Sequence, residues 1–220
     1  EEATQIKLIA TEHSWPWNVG LVSENIGSFP YCGGTLISNT LILTAAHCIQ
    51  SHYGCRKFPL GFEFEMTGGT SNLLYALVGA HDYKRLDDYG EFYPVQSAVI
   101  HPTFNSDCNL LGNDIAILRL SSQITPNAAV QPICFPSSRV NLPRGSLCFF
   151  AGWGDMYTDW SQGMLVTPTK LHEGQVEMDF DEYCMPIHPN YTSVRHSCIK
   201  TRGTNPCFGD SGGGIFCPSE

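Results

Sequence analysis

Apolar residues along the chain gather in short runs that polar and turn-forming residues break again within a few positions. "TLILTAA" (40–46), "YALVG" (75–79), "DIAILRL" (114–120) and "GQVEMDF" (174–180) are runs of this kind, rich in β-branched or bulky apolar side chains. Such side chains fit a pleated, half-buried surface, and the glycines, prolines, asparagines and serines between the runs supply turns. No long stretch repeats its apolar residues at the helical period of 3.6, and no internal repeat is visible. Many short strands with frequent turns predict an all-β chain built as a sandwich or a barrel. Proline and small polar residues cluster over 121–136, which reads as a seam. The stretch 51–76, with "TGGTSN", has less strand-like order and reads as a long surface loop of the sort that lines binding sites.

Charge narrows the partners. Twelve basic residues stand against 21 acidic ones, for a net charge of −9. With no long basic run, nucleic acids and other polyanions are not expected partners. No stretch approaches the ~18 apolar residues of a membrane span. The opening "EEATQIKLIA" lacks the basic-then-apolar layout of a signal peptide, which is therefore removed or lies upstream.

Ten cysteines change the picture more: Cys32, Cys48, Cys55, Cys108, Cys134, Cys148, Cys184, Cys198, Cys207 and Cys217. None forms a CxxC pair, which argues against zinc-ribbon or thioredoxin-like chemistry. His172-Glu173 begins an HExxH pattern, but Val176 stands where the second histidine is needed. Spread cysteines in a chain of this size read as a disulfide framework from an oxidising compartment. The Asn190-Tyr191-Thr192 sequon points the same way, toward secretion and glycosylation.

Three stretches carry candidate chemistry. "LTAAHC" places His47 after an apolar run, "NDIAILRL" places Asp114 at the entrance of a strand, and "GDSGGG" embeds Ser211 among small residues. Each alone has a plain structural reading: a half-buried histidine beside a disulfide, a turn aspartate, a glycine turn. Together they supply a complete set. A serine hydroxyl is a poor nucleophile until a base takes its proton, and histidine suits that task near neutral pH. The imidazolium that forms needs a fixed carboxylate. Glycines around Ser211 let backbone N–H groups converge where an oxyanion would form.

With these stretches in view, the chain resembles the trypsin and chymotrypsin family of serine proteases. The resemblance runs from about residue 14 to the end, through "SWPWNVGL" (14–21), "CGGTLISNTLILTAAHC" (32–48), "HPTFN" (101–105), "NDIAILRL" (113–120), "VQPICFP" (130–136), "AGWG" (151–154) and "CFGDSGGG" (207–214). It implies one peptidase domain over 1–220, made of two six-stranded antiparallel barrels at about 14–125 and 126–220, with the site between them. It implies His47 as general base, Asp114 as its orienting partner and Ser211 as nucleophile, with the N–H groups of Gly209 and Ser211 as oxyanion donors. Disulfides Cys32–Cys48, Cys148–Cys217 and Cys184–Cys198 match the family. Cys55 and Cys108 lie in insertions flanking the cleft and are expected to bridge each other, with free or otherwise paired thiols as the alternative. Cys134 and Cys207 have no assigned partner. The implied activity is a secreted serine endopeptidase without metal or organic cofactor, acting on proteins or peptides and open to protein inhibitors. The rival readings are a catalytically inactive homologue that binds or scaffolds, and a disulfide-rich structural domain.

The chain also departs from the family. No Ile-Val-Gly-Gly-like tetrapeptide precedes "SWPW". In the family, cleavage before such a tetrapeptide frees an amine that pairs with the aspartate matching Asp210. Without that amine, Asp210 is expected to swing out and misplace the oxyanion donors, as in a zymogen. Family members also run well past the position matching Glu220, so the chain reads as a fragment with an incomplete second barrel. Asn205, six residues before Ser211, matches the base of the primary specificity pocket. It is neutral, so no strong preference for lysine or arginine is expected.

Overall fold

The computed structural model describes residues 7–54, 58–66, 72–105, 112–135, 142–159, 164–201 and 203–218. Six strands close on themselves in the first half: β2 (Asn18–Ser23), β3 (Cys32–Leu36), β4 (Leu41–Thr44), β6 (Leu74–Val78), β7 (Glu91–Ile100) and β8 (Ala116–Leu120). Every pairing is antiparallel, in the order β7-β6-β2-β3-β4-β8, and β8 returns to β7 to complete the barrel. Closure is possible because β7 is long. Its first half lies along β6, and its second half, past a register shift between Val95 and Ser97, lies along β8. A bulge of this kind bends a strand and lets one sheet close.

Alternation decides what fills the barrel. In β8, Ala116, Leu118 and Leu120 point inward while Ile117 and Arg119 face out. They meet Val19, Leu21, Leu36, Ile42, Val78, Val95 and Ile100 in one apolar cluster. The short helix α1 (Ala46–His52) plugs one end, with Ala46, Cys48 and Ile49 fully buried in that cluster. Each of the runs at 40–46, 75–79, 114–120 and 174–180 carries a strand, although Ala46 at the end of the first already belongs to α1. The expected surface loop 51–76 is corrected in part: it holds the two-residue strand β5 (Phe64–Glu65), which pairs with β7, and the start of β6.

A second antiparallel sheet centres on β12 (His172–Met178). It has β9 (Leu147–Gly152) along one edge and β1 (Leu8–Ile9) followed by β13 (Ile199–Thr201) along the other. A separate hairpin joins β10 (Met156–Asp159) to β11 (Met164–Val166), and α2 (Asp181–Cys184) follows β12. Among the described residues, one small buried cluster of this half comprises Cys148, Phe150 and Val176. The two halves meet through Leu77 of the barrel and Ala151, Trp153 and Leu171 of the second sheet. β1 thus carries residues from ahead of the barrel across to the second sheet.

Candidate active site

His47 is the second residue of α1, and Asp114 lies just before β8. The turn leading to Asp114 contains Gly112 at φ +106° and Asn113 at φ +55°, a left-handed turn that glycine and asparagine tolerate. It brings the Asp114 carboxylate over the start of α1. Oδ1 accepts the His47 backbone N–H at 2.8 Å and Oδ2 accepts the ring Nδ1–H at 2.6 Å. One carboxylate thus fixes the backbone and the imidazole of the same residue, and leaves Nε2 facing away from it. Burial alone would raise the Asp114 pKa. The hydrogen bonds and charge of His47, with the Ala46 N–H, outweigh it and hold the carboxyl below its ordinary value.

Ser211 comes from the other half. Its carbonyl accepts the N–H of Gly33 in β3 at 2.7 Å, which ties the serine turn to the barrel. Contact this close requires glycine. A Cβ on Gly33 would lie 3.0 Å from the Gly213 backbone, and one on Gly212, at φ +82°, would lie 2.6 Å from the Gly33 carbonyl. The Cys32–Cys48 disulfide sits at this junction, with Cys48 Sγ 3.8 Å from His47 Nε2 and 3.5 Å from the Ser211 carbonyl oxygen. Both residues therefore touch one sulfur. Among the described residues, no hydrogen bond joins Ser211 Oγ to Nε2; in sites without substrate such bonds often stay open and tighten on binding. A cavity of about 570 Å³ opens next to Asp114 and the glycines after Ser211, lined by Asp114, Ala45, Gly212, Gly213 and Arg195 among others, though not by His47 or Ser211 themselves.

Cys32, His47 and Cys48 are also the one grouping of metal-ligand types among the described residues. Both cysteines are consumed in the disulfide, so neither offers the thiolate a metal would need.

Asp210 overturns the expectation that it swings out. Its side chain is 4% exposed and paired with the ammonium of Lys7, which is 3% exposed. Oδ1 also accepts the Gly154 N–H at 3.0 Å and Oδ2 the Cys207 N–H at 2.9 Å, while Lys7 donates to the Gly154 carbonyl at 3.1 Å. Sequence reasoning missed Lys7. The available signal was a lone cation inside the apolar run "QIKLIA", since a lysine among apolar residues is buried only when paired.

The remaining candidates are placed as follows. Gly209 has φ +95° and packs on Gly154, where a Cβ would lie 3.0 Å from Cα. Asn205 and Asn190 are exposed. Among the described residues, disulfides join Cys148 to Cys217 and Cys184 to Cys198, and Cys134 and Cys207 are free thiols. Cys55 and Cys108, expected to bridge, lie outside the described residues.

Comparison with known proteins gives the wider setting. The family model described as Trypsin matches residues 9–220. Chymotrypsin-like elastase family member 3B of Homo sapiens is 32% identical over 216 residues, covering 96% of this chain and 71% of the relative. Proproteinase E of Bos taurus is 30% identical over 215 residues, covering 96% and 76%. Ovochymase of Halocynthia roretzi is 29% identical over 212 residues, or 93% of this chain and 12% of that much longer protein.

Proposed function

Because the chain belongs to the trypsin family of serine endopeptidases, we propose that it cleaves peptide bonds through His47, Asp114 and Ser211 by way of an acyl-enzyme. The observation that carries this reading is the two-point hold of Asp114 on His47. With Nδ1–H donated to the carboxylate, Nε2 has a free lone pair and can act as a base. Ser211 Oγ attacks the scissile carbonyl as its proton passes to Nε2. The carbonyl π electrons move onto oxygen, which the N–H groups of Gly209 and Ser211 stabilise. Collapse of the tetrahedral species breaks the C–N bond, and His47 returns the proton to the leaving amine. Water then repeats the sequence on the ester and frees Ser211.

The substrate class follows from chemistry and likeness. Asn205 is neutral, so a buried lysine or arginine side chain would find no counter-charge at that position. Of the relatives, one is named a chymotrypsin-like elastase and another a proproteinase, and neither is named a trypsin. Three disulfides among the described residues and the exposed Asn190 sequon support a secreted, glycosylated protein. Among the described residues no helix is long and apolar enough to cross a membrane. Protein inhibitors that present an extended loop would compete with substrate.

The test is hydrolysis of a panel of peptide anilides differing in the residue before the cut. The wild type should turn over substrates with uncharged residues there, and Ser211→Ala should not. Equal turnover by Ser211→Ala would overturn the reading.

A further inference from the structure

The Lys7–Asp210 pair lies one residue from the nucleophile and has no part in the proton transfers above. Two opposite charges taken out of water are costly, and they persist only where their remaining donors and acceptors are met. Here they are met. The carboxylate holds two backbone N–H groups besides the ammonium, and the ammonium holds the Gly154 carbonyl and lies 5.9 Å from the centre of the Phe150 ring. Gly154 therefore binds both members of the pair and also supports the backbone of Gly209.

Lys7 is delivered there by strand pairing. Leu8 stands opposite Glu173 and Ile9 opposite His172, and the Ala10 N–H donates to Leu171 at 2.9 Å. That register fixes the residue before β1 against the turn that holds Gly209, Asp210 and Ser211. Removing the ammonium leaves a buried carboxylate without its counter-charge. The way out is rotation of Asp210 toward water, which drags the backbone of both its neighbours, the two oxyanion donors.

We propose that Lys7 is a positioning residue whose side-chain ammonium holds Asp210, and through it the Gly209 and Ser211 N–H groups, in the catalytic arrangement, so that no free chain-terminal amine is needed at Asp210. This rests on the hydrolytic reading above. The charge resides on an internal side chain and is present whether or not the chain ahead of it has been cut.

The test compares the full chain, the Lys7→Met variant, and the wild type carrying a short peptide added ahead of Glu1. All three are assayed on one peptide anilide. Lys7→Met should lose about 100-fold or more in kcat, the effect of losing an oxyanion donor, with a smaller change in KM. In Lys7→Ala, added propylammonium should restore part of the rate, and sodium chloride at equal ionic strength should not; a merely structural lysine would show no such rescue. The extended wild type should keep the kcat/KM of the unextended one. Lys7→Met at full kcat would overturn the proposal. So would loss of activity on extension, which reads out even if Lys7→Met fails to fold. A wild type that neither hydrolyses substrate nor reacts with a fluorophosphonate would instead overturn the hydrolytic reading, and this inference with it.

Discussion

Replacing Asp114 by asparagine keeps the shape of the side chain and removes one acceptor. The carboxylate takes two N–H donors from His47, one from the backbone and one from the ring, at 2.8 and 2.6 Å. An amide has one acceptor oxygen. If that oxygen stays on the backbone N–H, the amide NH₂ faces Nδ1. The ring must then accept at Nδ1 and carry its proton on Nε2, where it cannot receive the proton of Ser211. Turning the amide over restores the tautomer but sets NH₂ against a backbone N–H, at a cost of about 1–3 kcal/mol for the unmet donor. The imidazolium also loses a charge-assisted bond, about 1.5–3 kcal/mol more. Together these amount to a fall in kcat of about 10²- to 10⁴-fold, and the upper end is what this substitution does in triads of this kind. The assay is kcat on a peptide anilide near pH 8, with thermal unfolding to show that the variant is folded. A folded variant within about tenfold of wild type, under 1.4 kcal/mol of barrier, would refute the reasoning.

Three further outcomes follow from other parts of the molecule. Burial is the main force that depresses the pKa of both His52 and His172, against an opposing pull from Glu24 on the former and from the Lys170 carbonyl and Asp210 on the latter. The unfolded chain takes up protons at these positions near pH 6.5 while the folded chain resists. Stability measured by urea unfolding should therefore fall as pH drops below that value, and less steeply in His52→Gln; a flat profile would count against it. Cys148–Cys217 closes a span of 69 residues and Cys32–Cys48 one of 16, so loop entropy gives about 4 against about 3 kcal/mol, and the Cys148→Ser/Cys217→Ser variant should have the lower denaturation midpoint. Asn205→Asp should raise kcat/KM for substrates with lysine or arginine before the cut relative to uncharged ones, and a wild type already selective for them would contradict the proposal that a neutral Asn205 disfavours basic residues.

Much of the barrel was legible because alternation and turn residues are local signals. β8 reads directly from "AILRL", whose inward and outward faces follow the pleat. β3 was harder as a strand, since "CGGTL" looks like a turn; Gly33 is there because the Ser211 turn packs on the strand, and Gly34 because a Cβ would lie 2.7 Å from Ile42 in the barrel core. β7 was hidden by Pro94, which lacks the N–H of an ordinary ladder residue and is accommodated next to the register shift. Of the site, the residue types at His47, Asp114 and Ser211 could be read from their stretches. At Lys7 the lone cation in an apolar run signalled burial, but its partner was not legible, because its place depends on a two-residue strand finding β12 more than 160 positions away. The expectation for Asp210 failed for that reason: its acceptor role was visible and its donor was not.

The central claim is that Ser211 is an activated nucleophile. The native protein would be treated with a fluorophosphonate, reduced, alkylated, digested with trypsin and analysed by peptide mass. The account predicts the adduct on Ser211, in the peptide that begins at Gly203 after Arg202. It also predicts that His47→Ala leaves that peptide unlabelled. A native, folded protein whose Ser211 peptide carries no adduct would contradict the account.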